Sequence, residues 1–265
     1  MQLTIDGHTA FCHTGDHPFD PALPTVVLVH GALNDHAVWT QQSRALAARG
    51  FAVLAPDLPG HGRSGGPAMR SVEALADWLI ALLDAAGVGR ALLAGHSMGS
   101  LVVLETASRA PQRAAGLALL GATFPMKVAD ALLATALEDQ QAAIDMVVTW
   151  SHAPATDPSV ADAARDMMQR LAAGSSEALL HTDLAACNAY ANGMTAAAAV
   201  TCPVVFVQGT QDKMTPPRKA GALTDAIAHA TVVTVVTVET GHAMMQEAPE
   251  AVSNALLAQA ERLIS

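Results

Sequence analysis

The stretch Ala91-Leu92-Leu93-Ala94-Gly95-His96-Ser97-Met98-Gly99 limits what this chain can fold into. Its first five residues are apolar with no polar interruption, the pattern of a strand buried on both faces. From Met98 to Arg109 the pattern is that of a helix. Gly95-His96-Ser97-Met98-Gly99 therefore reads as a G-x-S-x-G turn between a strand and a helix. That turn lifts a serine hydroxyl above a sheet. It is tight enough to strain the serine backbone, so the residues two places to either side must be small, hence Gly95 and Gly99. The amide of Met98 opens the helix, where N–H groups lack partners and the dipole is positive, a place suited to an oxyanion.

Working outward, apolar runs recur at Thr25–His30, Phe51–Pro56 and Gly116–Gly121. Between them lie helical stretches, about Val38–Arg49, closed by Gly50, and from Ser71 to about Ala86, with Glu73 in the first turn. Alternating apolar strands and amphipathic helices predict a parallel sheet wrapped by helices. Gln2–Asp6 and Thr9–His13 flank Gly7-His8 as a hairpin would. The rhythm then breaks. From about Thr123 to Val200 there is no strand pattern, only Ala-rich helical sequence with breaks at Pro154, Pro158 and Gly174-Ser175-Ser176. This segment reads as a helical insertion. The alternation resumes with strand Pro203–Gln208, a helix near Arg218–Ala228, strand Thr231–Glu239 and a terminal helix over about Pro249–Leu263.

A serine hydroxyl is a weak nucleophile until a base takes its proton, and that base must be oriented by a third group. On this kind of sheet the order is serine, acid, histidine. Asp212 follows the strand Pro203–Gln208, and His242 follows the strand Thr231–Glu239. Both therefore stand at C-terminal strand ends, the edge where parallel sheets build their sites. A second oxyanion donor is expected from His30-Gly31-Ala32-Leu33, where Gly31 lets the chain turn and the amide of Ala32 face the serine, with Leu33 as the near alternative. His30 reads as structural, since one general base suffices.

Composition removes other classes. The 265 residues are 51% hydrophobic and 14% charged, which excludes a disordered chain. A net charge of −10 repels phosphate backbones, so no nucleic acid partner is expected. The three cysteines, Cys12, Cys187 and Cys202, make neither a disulfide framework nor a zinc spacing, and no HExxH stands among the eleven histidines. No metal and no cofactor is expected. With no basic stretch leading into an apolar run at the N-terminus and no uninterrupted apolar span, the expectation is a cytoplasmic protein without membrane insertion, monomer or homodimer.

The chain resembles the α/β-hydrolase superfamily over essentially its whole length. The resemblance rests on Val27–Trp39, Ala55–Ser64, Gly95–Gly99, Gly209–Pro217 and Gly241–Glu250. It implies an α/β-hydrolase fold, a mostly parallel eight-stranded sheet flanked by helices, with a helical cap inserted after the sixth strand. Residues 1–122 and 201–265 would form the core and 123–200 the cap. It implies Ser97 as nucleophile, His242 as base and Asp212 as orienting acid, with the amides of Ala32 and Met98 as oxyanion hole. A serine in place of the aspartate of haloalkane dehalogenases and epoxide hydrolases suits attack on an acyl carbonyl. In relatives Pro59–Ser64 is a structural loop.

Leu33, Phe124, Met126, Trp150, Met214 and Met244, which follow motifs or sit on the cap, are expected to line a substrate pocket. Asn188 and Tyr190 are placed either to bond a substrate or to satisfy cap backbone. The cations near the motifs are Arg63, Lys127 and Lys213, with no guanidinium clamp for an anion among them. The expected function is therefore a serine hydrolase of small to medium, mainly apolar carboxylic esters, acting through an acyl-enzyme on a small-molecule substrate. The same scaffold serves C–C bond hydrolases and enol-lactonases, for which Arg63 or Lys127 would have to meet a substrate carboxylate, and hydrolase-like ligand receptors.

Overall fold

A computed structural model describes residues 1–175 and 177–264. The hairpin is β1 (Gln2–Ile5) and β2 (His8–His13), with Gln2 opposite Phe11. Then follow β3 (Thr25–Val29), α1 (Thr40–Ala48), β4 (Ala52–Pro56), α2 (Val72–Ala85), β5 (Ala91–His96), α3 (Met98–Arg109) and β6 (Ala114–Leu120). The helix expected from Val38 begins instead as a 3-10 turn at His36–Trp39, because the Asp35 side chain accepts the Ala37 amide and caps that tighter turn. Ser71 caps α2 by accepting the amide of Ala74.

The insertion follows β6 as five helices, α4 (Asp130–Glu138), α5 (Gln140–Ser151), α6 (Pro158–Gly174), α7 (Leu179–Ala189) and α8 (Gly193–Ala198). Pro158 opens α6 in the first turn, where its missing N–H is harmless, and Asp157 caps it. Of the break expected at Gly174-Ser175-Ser176, α6 ends on Gly174, and Ser176 lies outside the described residues. The core resumes with β7 (Val204–Gly209), α9 (Gly221–Ala226), β8 (Val233–Val238), α10 (Met244–Glu247) and α11 (Pro249–Ala260).

The eight strands lie in the order β1-β2-β4-β3-β5-β6-β7-β8. The pairs involving β2 are antiparallel and all others parallel, so the sheet is mixed but mostly parallel, as expected. Chain order reverses at β3, with β4 on one side of it and β5 on the other. Such a switch point opens a crevice beyond the carboxyl ends of the two central strands. Here those ends are in register, Val29 beside Gly95, so the loop after β3 meets the turn after β5. Two apolar layers sandwich the sheet. One carries Leu75, Leu79 and Leu101 from α2 and α3, and the other carries Leu46 and Leu256 from α1 and α11. The second layer continues into the insertion through Leu132, Ile144, Met167 and Leu180 of α4 to α7, while α8 packs Ala196 and Ala197 into the first layer.

Candidate active site

Ser97 sits between β5 and α3 with φ +53° and ψ −118°, a conformation that costs a non-glycine residue about 1–3 kcal/mol. Its surroundings enforce that conformation. Its amide donates to the Leu120 carbonyl on β6 at 2.9 Å. A Cβ on Gly95 would stand 2.1 Å from the Gly99 carbonyl oxygen, and one on Gly99 would stand 2.3 Å from that of Val29. Two glycines thus let the first turn of α3 press on the end of β3, the steric reason for the motif. Ser97 Oγ is hydrogen-bonded to no other described residue and lines a cavity shared with His242.

His242 and Asp212 are both buried. His242 Nδ1 donates to Asp212 Oδ2 at 2.7 Å. The other carboxylate oxygen accepts the amides of Met214 and Thr215, each at 2.8 Å, and Thr215 Oγ1 donates to Oδ2 at 2.7 Å. Burial pushes the Asp212 pKa up, but the His242 charge and these donors outweigh it and hold the carboxyl well below its usual range. The insertion fixes the histidine from the other side. The Ser151 carbonyl at the end of α5 accepts the amides of His242 at 2.6 Å and Ala243 at 2.9 Å. His96 Nε2 donates to the His242 carbonyl at 2.9 Å. Burial, reinforced by the neighbouring His242, pushes the His96 pKa down to about 3, so its ring is neutral.

The amides of Ala32 and Met98 have no hydrogen-bond acceptor among the described residues. The Leu33 amide does. It donates to Asp183 Oδ2 of α7 at 2.8 Å, while Leu33 itself is fully buried with φ +46°. The same Asp183 oxygen takes a hydrogen bond from His61 Nε2 at 2.9 Å, and His61 Nδ1 donates to the Pro59 carbonyl at 3.0 Å. With acceptors facing both ring nitrogens, the protonated form of His61 is favoured. Burial alone would lower its pKa, but Asp183 overrides burial and raises it. Between the two oxyanion donors considered after β3, Ala32 is free and Leu33 is occupied. His30 is locked in a neutral form, its Nδ1 donating to the Gly31 carbonyl and its Nε2 accepting the Leu58 amide.

Two lobes open from Ser97. One, of about 610 Å³ including its open mouth, is lined largely by apolar groups such as Val147, Val148, Met168, Leu180 and Met245. The other, of about 730 Å³ including its open mouth, is lined by Met126, Leu132 and Trp150 together with Lys127, Lys213 and Lys219. Ala32, Ser97, Leu184 and Met214 border both.

Of the residues expected at a pocket, Met126, Trp150 and Met214 lie at these lobes. Leu33 is buried beneath the loop, Phe124 packs edge-on against Tyr190 at 5.7 Å, and Met244 is fully buried while its neighbour Met245 faces the lobe. Tyr190 donates to Glu105 Oε2 at 2.7 Å, and Asn188 Oδ1 accepts the Val128 amide. Tyr190 therefore ties the insertion to α3, and Asn188 satisfies backbone within the insertion. Arg63 stacks over the Phe11 ring at 3.7 Å, away from the lobes. Asp35, His36 and Asp57 form a cluster with metal-ligand spacing, but Asp57 is already engaged by the His36 ring and amide and the Arg63 amide. Sequence reasoning missed Asp183, Thr215 and most of the insertion's lining residues. A helical pattern marks an apolar face but not what that face meets.

A family model described as "Alpha/beta hydrolase family" matches residues 26–255. The lipase LipV of Mycobacterium tuberculosis is 32% identical over 158 residues, 56% of this chain and 59% of that protein. The chain spans from 26% to 59% of the length of the first curated relatives it matches. Among solved structures, a thermophilic esterase from Thermogutta terrifontis superposes with a TM-score of 0.83 at 23% identity, covering 100% of this chain and 99% of that one. The enol-lactonase from Burkholderia xenovorans LB400 gives 0.85 at 22% identity, covering 100% of both. At such identities the likeness is one of fold.

Proposed function

Because this chain belongs to the alpha/beta hydrolase family, we propose that it is a serine hydrolase that cleaves carboxylic esters through an acyl-enzyme. Ser97 Oγ attacks the ester carbonyl, His242 Nε2 takes its proton, and Asp212 holds the imidazole by Nδ1 and stabilises its positive form. The amides of Ala32 and Met98 receive the oxyanion, the latter aided by the start of α3. The alcohol leaves with the proton from His242. Water, activated by the same imidazole, then releases the acid and restores Ser97. Residues 123–200 act as a cap over this centre, and 1–122 with 201–265 as the catalytic core.

The observation that carries this reading is the buried His242–Asp212 hydrogen bond, with His242 and a strained Ser97 bordering one cavity. The apolar lobe supports small to medium acyl or alcohol groups. Intact-mass labelling with a fluorophosphonate, beside a series of p-nitrophenyl esters from acetate to long chains, tests it. The expected result is one adduct on Ser97 and a rate that peaks at short or medium chains. An unlabelled Ser97, or labelling without ester turnover, rejects the proposal.

A further inference from the structure

The sequence contains three lysines, Lys127, Lys213 and Lys219, and all three line the second lobe beside Ser97. They come from distant parts of the chain, Lys127 from the start of the insertion and the other two from the loop after β7. In a chain of 24 acids against 14 bases, no Asp or Glu among the described residues lines this lobe. None of the three lysines is in an ion pair with a described residue, whereas Arg44, Arg49, Arg70, Arg109, Arg113 and Arg165 all have carboxylate partners. The protein contact of Lys127 is neutral, Nζ donating to the Asn188 carbonyl at 3.1 Å. The first lobe is lined by no Lys or Arg.

We infer that the substrate carries a carboxylate on the arm that enters this lobe. The inference rests on the ester-hydrolase reading and deepens it. In this lobe Met126 and Leu132 are buried and Trp150 is half-buried, whereas the cations are exposed on flexible stems, which puts the apolar groups on its floor and the charges at its mouth. An arm that fits it is apolar near the scissile bond and charged at its end. A pocket of one sign set in a surface of the other also concentrates the matching ion. The mainly apolar substrate expected from the motifs is thereby confined to the other lobe.

The test compares two ester pairs in which a free carboxylate is set against its methyl ester. One pair is mono-4-nitrophenyl glutarate and its methyl diester, with the charge on the acyl side. The other is 4-acetoxybenzoate and its methyl ester, with the charge on the alcohol side. The expected result is at least a tenfold advantage in kcat/KM for the anionic member of one pair, carried mainly by KM. It shrinks as salt is raised, and it is lost in the triple variant Lys127→Gln, Lys213→Gln, Lys219→Gln. A preference for the neutral member in both pairs, or an anionic preference that the triple variant keeps, overturns the inference. Calorimetric binding of the same esters to Ser97→Ala separates the two claims. Tighter binding of the anionic member without turnover by the parent chain rejects hydrolysis and leaves the lobe standing. Equal turnover and equal binding reject the lobe and leave hydrolysis standing.

Discussion

At the sheet edge, Ser97 is set by backbone that leaves no room for change, with glycines whose missing side chains would overlap carbonyl oxygens. The helices of 123–200 are set differently, by side chains that reach across to the core. Asp183 bridges to His61 and Leu33, Tyr190 to Glu105, and the Ser151 carbonyl to His242. Local sterics fix Ser97. A few buried polar bridges fix the insertion and, through it, the loop after β3 and the histidine. The two regions should therefore fail in different ways when altered.

The largest effect is expected where the contrast is purest. Asp212→Asn keeps the shape of the site but favours the wrong imidazole tautomer. It should lower kcat on the order of 10⁴-fold in a chain that still folds, as circular dichroism would show. A fall within tenfold would show that Asp212 does not orient His242.

Asp183→Ala attacks the insertion's bridge. It strands a buried imidazolium and the Leu33 amide, and should destabilise the chain by about 3–5 kcal/mol. Denaturant unfolding measures this. Asp183→Asn, which keeps an acceptor, should lose less. A loss below about 1 kcal/mol in the alanine variant would mean that apolar packing alone seats the insertion.

A pH series sharpens the same point. Folding raises the His61 pKa above its ordinary 6.5, so the folded chain holds this proton more tightly than the unfolded chain. The stabilisation is fully present below the unfolded value and is lost as pH rises through the raised folded value. The thermal midpoint of the parent should fall more steeply above about pH 6.5 than that of His61→Gln. Parallel curves would remove the charge from this bridge.

The smallest effect is expected on the outer face of the insertion. Arg165 pairs with Asp145 and Asp162, but both acids are more than half exposed. Arg165→Ala should change stability by no more than about 1 kcal/mol, and less in high salt. A larger loss would place outer-face charge among the forces that seat these helices.

Much of the fold was legible because its elements carry strong local patterns. The buried runs at 91–96 and 204–209 and the helix Met98–Arg109 lie within a residue or so of their expected ends. The short helix Met244–Glu247 was not foreseen, since four residues carry no period of their own. That helix is why Met245 rather than Met244 reaches the cavity. The candidate acid and histidine were legible because each follows its strand. Asp183 was not, because an acid inside an Ala-rich helix looks like a solvent-facing residue until His61 is placed against it.

By itself, the sequence determined the sheet, the insertion point after β6, the strained turn at Ser97 and the candidates that follow β7 and β8. These depend on period, chain order and the missing side chains of a few glycines, all of which act between near neighbours. Only the tertiary structure decided that the Leu33 amide is taken by Asp183, that Ala32 is free, and that all three lysines border one lobe. Those facts join residues as far as 150 positions apart, and no local pattern encodes which distant groups will share a buried hydrogen bond or a cavity wall.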